Sequence, residues 1–218
     1  MASALPGEFV KVCGVTTVED ARVVVEAGAS ALGLIFAESP RRVTVARARE
    51  IAAATDGTIL RCAVFWHDDD AYVIEHLDAV DVDVVQLHGA LSAELLGYLR
   101  GRDVHVVKAL SIEGPEFDDF DDAHVEAVLL DGTSPGSGVR HEWGRLKERH
   151  FAVPVVAAGG LTPANVSEVV RATGVWGVDC ASGVEASPGV KDPELVRRFV
   201  ANALTALRVE RDVIGPDT

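Results

Sequence analysis

Basic residues are scarce in this chain: 20 Lys and Arg against 34 Asp and Glu leave a formal net charge of −14 over 218 residues. That balance excludes nucleic acid and anionic membrane surfaces as natural partners. A small anionic metabolite still binds where local cations and backbone amides converge. Cysteine is scarce too. The three present, Cys13, Cys62 and Cys180, are odd in number and widely separated, which argues against a disulfide framework or a zinc ribbon and fits a reducing cytosol. No apolar run approaches the roughly 18 residues of a membrane span. MASALPGEF lacks the basic-then-apolar order of a secretory leader. Also missing is the G-x-G-x-x-G that would follow the first strand of a dinucleotide-binding sheet.

What remains is a regular alternation. Short β-rich runs at 8–13, 31–36, 59–65, 83–88, 104–110, 126–131, 154–158 and 175–181 are separated by helical patterns. The helices are expected near 18–27, 44–54, 70–79, 92–100, 143–149, 163–172 and 192–208, with a weak one near 115–121. Thr162-Pro163 and Asp192-Pro193 each set a capping residue before a proline at the first helical position, while Gly28 and Gly174 stand where helices should stop. The polar tail after about 209 is expected to fray. Eight β-then-α units predict a single (β/α)₈ barrel over residues 1–218, with a doubly wound sheet as the runner-up. Barrel enzymes place their chemistry at the C-terminal strand ends.

Residues of a barrel strand alternate between interior and helix layer. With Val10, Val12, Val85, Leu87, Val128, Leu130, Val178 and Cys180 facing the helices, the inward polar set becomes Lys11, Cys13, Gln86, His88, Lys108, Asp131 and Asp179. Buried charge costs several kcal/mol per ion unless paired, so such a set at strand ends reads better as a site than as scattered ion pairs. Cys62 and Cys180 read as packing residues. Gly159 and Gly160 after strand 7, Ser182 and Gly183 after strand 8, and Gly136, Ser137 and Gly138 after strand 6 sit where this architecture binds phosphate. Arg41 and Arg42, in SPRRV, offer forks for a carboxylate or phosphate. WHDDD at 66–70 reads as an acidic helix start rather than a metal site, because no second ligand set accompanies it. FDDFDD at 117–122 reads as a solvated acidic loop.

KVCGVTTVEDA, ALGLIF followed by SPRRV, DVVQLHG, LLDGTSPGSG, AAGGLTPANV and VDCASGVEASPGVKD, in this order, resemble the phosphoribosylanthranilate isomerase family across nearly the whole chain. The resemblance implies an Amadori rearrangement of N-(5-phosphoribosyl)anthranilate to 1-(2-carboxyphenylamino)-1-deoxyribulose 5-phosphate in tryptophan biosynthesis. It implies a cytoplasmic monomer or homodimer whose partner is the small phosphorylated substrate, without cofactor or metal. Carried over by position, Cys13 is the general base, Asp131 the general acid and Arg41 the holder of the anthranilate carboxylate. Asp179 matches the strand-8 aspartate near the substrate, and the three glycine-containing segments match its phosphate site; Lys11 and His88, from the inward set, are the further candidates for supporting the substrate.

The chemistry requires Asp131 to be protonated as the ribose ring opens, with Asp179 as a neighbour able to raise its pKa, and a Cys13 thiol brought toward neutrality with help from Lys11. The chain departs from the family pattern at Val139 and Glu142, in GSGVRHEW, where Arg140 is the candidate replacement cation, and at Ala181. Competing readings are a related phosphosugar barrel such as the ProFAR isomerases, a paralogue acting on a modified anthranilate, and a non-catalytic phosphate-binding barrel. The ProFAR family uses aspartates on strands 1 and 5, where this chain has Cys13 and Lys108.

Overall fold

The computed structural model describes residues 5–66, 69–132, 143–147 and 149–214. Eight parallel strands close into a barrel in sequential order, with the last paired to the first. They are β1 (Phe9–Val12), β2 (Ala31–Ile35), β3 (Leu60–Trp66), β4 (Val84–His88), β5 (His105–Ser111), β6 (Ala127–Asp131), β7 (Val155–Ala158) and β8 (Gly177–Cys180). Around them lie α1 (Val18–Glu26), α2 (Val45–Ala54), α3 (Asp70–Ala79), α4 (Ala93–Arg100), the short α5 (Glu116–Asp119), α6 (Val166–Thr173) and α7 (Pro193–Ile214). No helix among the described residues is long and apolar enough to cross a membrane.

Strands buried on both faces need apolar residues at nearly every position, and two separate packing layers use them. The outer layer joins Val10, Val12, Val85, Leu87, Val128, Leu130, Val178 and Cys180 to the helices. The inner layer holds Phe9, Cys13, Cys62, Val64, Val107, Ala109, Leu129 and Val156 inside the barrel. Alternation thus runs as expected on strands 1, 4, 6 and 8. It fails on β5. Val107 and Ala109 take the interior, so Lys108 lies on the helix side. Its ammonium donates to the Ala109 carbonyl (2.8 Å) and to Glu116 of α5 (3.2 Å), and sits 5.6 Å from the Phe120 ring centre. Lys108 therefore leaves the inward polar set.

Helix starts follow the capping residues. Thr17, Thr44, Asp69 and Ser92 each accept a hydrogen bond from the backbone three residues on, satisfying donors that a helix start leaves open. Asp192 caps α7 as expected, accepting from Glu194 and Leu195 at 2.8 and 3.1 Å. Thr162-Pro163 does not start a helix. Asn165 accepts from the Thr162 amide (2.7 Å) and donates to the Gly160 carbonyl (3.0 Å), and this side-chain-braced turn delays α6 to Val166.

Within the pattern at 143–149, the described residues form a 3₁₀ turn at Trp143–Lys147. The acidic run at 117–122 is not simply solvated, since Phe117 is buried and Arg145 pairs with Asp118 while stacking on Phe117. The last helix runs to Ile214. A 3₁₀ turn at Ser182–Val184 and a small hairpin, β9 (Glu185–Ser187) and β10 (Val190–Lys191), follow β8.

Candidate active site

At the C-terminal end of the barrel a cavity of about 360 Å³ is walled by Cys13, Arg41, Gln86, His88, Asp131, Gly159, Gly160, Asp179, Ala181 and Ser182, among others. Apolar residues Ile35, Val64 and Leu129 also line it. A few converging polar groups over an apolar floor are the usual character of a small-molecule site.

Lys11 and Asp179 face each other in register across β1 and β8. Their ion pair closes at 2.8 Å with both side chains buried. Burial alone would lower the Lys11 pKa, but Asp179, with Cys13 beside it, more than offsets this and keeps the ammonium charged. Asp179 spends one oxygen on Lys11. The other, Oδ1, is buried and has no hydrogen-bond partner among the described residues.

Cys13 shares this neighbourhood. Burial pushes its thiol above the ordinary value and Asp179 adds to the shift, while Lys11 and Lys191 pull against it. In the resting site the thiol is therefore not brought toward neutrality. Desolvation outweighs the lysine. Space for the sulfur comes from Gly33 on β2, where an added Cβ would stand 2.7 Å from Sγ. Asp131, the last residue of β6, has a similar seat. Gly159, at φ +83°, carries no Cβ where one would collide with Asp131 Oδ1 and the Gly132 carbonyl.

Arg41 lies over Gly14, whose φ of +70° follows directly on Cys13. Its Nε and Nη2 donate to the two oxygens of Glu185 at 2.8 and 2.7 Å. Lys191 donates to the same carboxylate at 2.8 Å and to the Ala181 carbonyl at 3.1 Å. Burial works against the Glu185 charge, but the bonds from Arg41 and Lys191 overcome it and hold its carboxyl below the usual range. Arg42 points elsewhere, donating to the Tyr72 hydroxyl.

His88 stacks flat on Trp66 from β3, centroids 4.8 Å apart and planes 9° from parallel. One of its ring nitrogens lies 2.9 Å from the Gln86 amide. Trp66, His88 and Asp131 also line a second cavity of about 400 Å³ beside the first. Among the described residues no group of His, Cys, Asp and Glu converges as metal ligands.

Residues 10–202 match the family model for N-(5'-phosphoribosyl)anthranilate isomerase. The chain belongs to that family. An isomerase of this name from Geotalea uraniireducens is 40% identical over 200 residues, covering 89% of this chain and 97% of that protein. The crystal structure of phosphoribosyl anthranilate isomerase from Thermotoga maritima superposes with a TM-score of 0.81 at 33% identity, covering 91% and 99% of the two chains. A crystal structure of the isomerase in complex with reduced 1-(o-carboxyphenylamino)-1-deoxyribulose 5-phosphate superposes at 0.76 with 30% identity and the same coverage.

The family's fold thus brings Cys13, Arg41, His88, Asp131, Asp179, Gly159, Gly160 and Ser182 around one cavity wall formed by several strand ends, with Lys11 buried. Gly183 serves that wall from behind, where a Cβ would strike the Leu161 carbonyl. Gly136, Ser137, Gly138, Val139, Arg140 and Glu142 lie outside the described residues. Three contributors were not singled out from the sequence: Gly33, Glu185 and Lys191. A glycine inside an apolar strand marks close approach, and that signal was available in ALGLIF. The charges in VEASPGVKD carried no periodic signal, because what they bind lies elsewhere in the chain.

Proposed function

We propose that this chain isomerises N-(5'-phosphoribosyl)anthranilate to 1-(2-carboxyphenylamino)-1-deoxyribulose 5-phosphate, with Asp131 as general acid and Cys13 as general base. The observation that carries the assignment is one cavity wall holding Cys13, Asp131, Arg41 and the Gly159–Gly160 turn. Asp131 protonates the ribose ring oxygen as the C1–O bond breaks, giving an iminium. Cys13 takes the C2 proton, and the resulting enamine tautomerises to the ketone.

The raised thiol suits this order of events. A cationic iminium forming in front of Cys13 favours the thiolate only after the ring has opened, adding to the pull of Lys11. Arg41 holds the anthranilate carboxylate, a planar anion matched to its fork. The phosphate rests against Gly159, Gly160 and Ser182, and also against Gly136, Ser137 and Gly138 of the strand-6 loop. Three free, buried cysteines suit a reducing cytoplasm, where the protein works as a monomer or homodimer.

The test is conversion of the substrate by purified protein, together with growth of an isomerase-deficient tryptophan auxotroph carrying this chain. Folded protein that neither converts the substrate nor restores growth would overturn the proposal.

A further inference from the structure

The guanidinium of Arg41 has two edges able to receive a carboxylate in a paired fashion: one made by Nε and Nη2, the other by Nη1 and Nη2. Glu185 occupies the first edge completely, through bonds of 2.8 and 2.7 Å. Nη1, which completes the second edge, makes no hydrogen bond among the described residues, and Arg41 lines the cavity. Glu185 does not stand on that wall; its side chain is only 4% exposed. Lys191, with a fully buried side chain, grips Glu185 at 2.8 Å.

The cluster is held from both sides. Lys191 also donates to the Ala181 carbonyl, and Thr16, just beyond β1, donates to the Gly189 carbonyl at the hairpin tip (2.6 Å). Two cations and one anion leave a single net positive charge, the complement of one substrate carboxylate. Burying Glu185 and Lys191 is costly unless each is satisfied, so the hairpin is an expensive way to place a single half-buried arginine unless its direction matters.

We propose that Glu185 and Lys191 are positioning residues for carboxylate recognition. Glu185 takes the side-on edge of Arg41 and so presents the end-on edge to the anthranilate carboxylate, while Lys191 holds Glu185 in place. This role rests on the function proposed above and adds to it the means by which the enzyme distinguishes an anthranilate from an aniline.

The test compares two ligands that share the sugar phosphate: reduced 1-(o-carboxyphenylamino)-1-deoxyribulose 5-phosphate and its phenylamino counterpart without the carboxyl group. Wild-type protein binds the carboxylated ligand more tightly. In Glu185→Gln that preference falls about tenfold, the worth of one charge-assisted pairing. The KM for substrate rises in step while kcat stays within about threefold. Glu185→Asp keeps the charge beside Lys191 but shortens the reach, and loses the preference in smaller measure. It serves as the second variant should Glu185→Gln not fold.

Equal weakening of both ligands would make Glu185 merely structural and overturn the proposal, as would an unchanged preference in both variants. A wild-type chain that turns over no substrate, yet loses its carboxylate preference on Glu185→Gln, would defeat the isomerase reading and leave the positioning role standing.

Discussion

The two ends of the barrel each bury a cation, and they do so in opposite ways. Near the N-terminal end Arg61, at the start of β3, is saturated. It bonds Asp83 through Nε (2.9 Å) and Nη2 (3.2 Å), and reaches Asp81 and Asp56 at 3.3 and 3.4 Å. Asp83 also accepts from the Arg61 backbone amide at 2.8 Å. Every charge there has somewhere to go within the protein. At the C-terminal end Lys11 has one carboxylate, and that carboxylate keeps a buried oxygen without a partner among the described residues. A saturated network stabilises the fold and does nothing else. An unsaturated one, beside a thiol and a cavity, is equipped to meet a substrate.

The sharpest way to break this contrast is at the cavity wall. Asp131→Asn and Cys13→Ser should each lower kcat by about a hundredfold to ten-thousandfold, the range for losing a positioned acid or base, with ligand affinity largely retained. Steady-state kinetics and binding of the reduced product analogue check this. Near-normal turnover in either variant removes that residue from its role.

Lys11→Met strands Asp179 as an unpaired buried charge. It should cost about 3–5 kcal/mol of stability and activity as well, read by denaturant unfolding and kinetics on the same preparation. Asp83→Asn, at the other end, should cost about 1–3 kcal/mol while leaving kcat unchanged. Loss of activity there at intact stability would mean that the two ends are not separable.

Much of this was legible in the residues. Strand alternation identified the inward positions of β1, β4, β6 and β8, because each carried a clear apolar set for the helix layer. On β5 both faces are apolar, and the lysine was the only asymmetry. Its true partners, Glu116 and Phe120, lie within and just beyond α5, a helix the sequence announced only weakly. The raised Cys13 thiol was not legible either. Lysine two residues away argues for a lowered pKa, and only the extent of burial, a property of the closed barrel, reverses the sign. Glu185 and Lys191 illustrate the same limit, since Glu185 meets Arg41 across 144 positions.

The smallest effect concerns the thiols alone. Cys62 and Cys180 are both pushed up to about 12, each chiefly by burial, and Cys13 is raised as well. Their protonated forms thus favour the folded state. This contribution is complete below the unfolded thiol pKa of about 8.5 and is lost as the pH rises toward the folded values. Stability measured by urea unfolding should decline above about pH 8.5, and Cys62→Val should make that decline shallower. An unaltered slope would assign the decline to other groups.

The Lys11–Asp179 pair joins residues 168 positions apart. On the ribosome, at about 5–20 residues per second, the lysine emerges roughly 8 to 34 seconds before its carboxylate. Until β8 docks on β1, the first strand has no barrel to enter and its ammonium must stay in water. Closure of the ring and neutralisation of the lysine are therefore one event, which waits for β8. A chain truncated before β8 would carry a solvated charge in place of a core, and so would be exposed as unfinished to proteases.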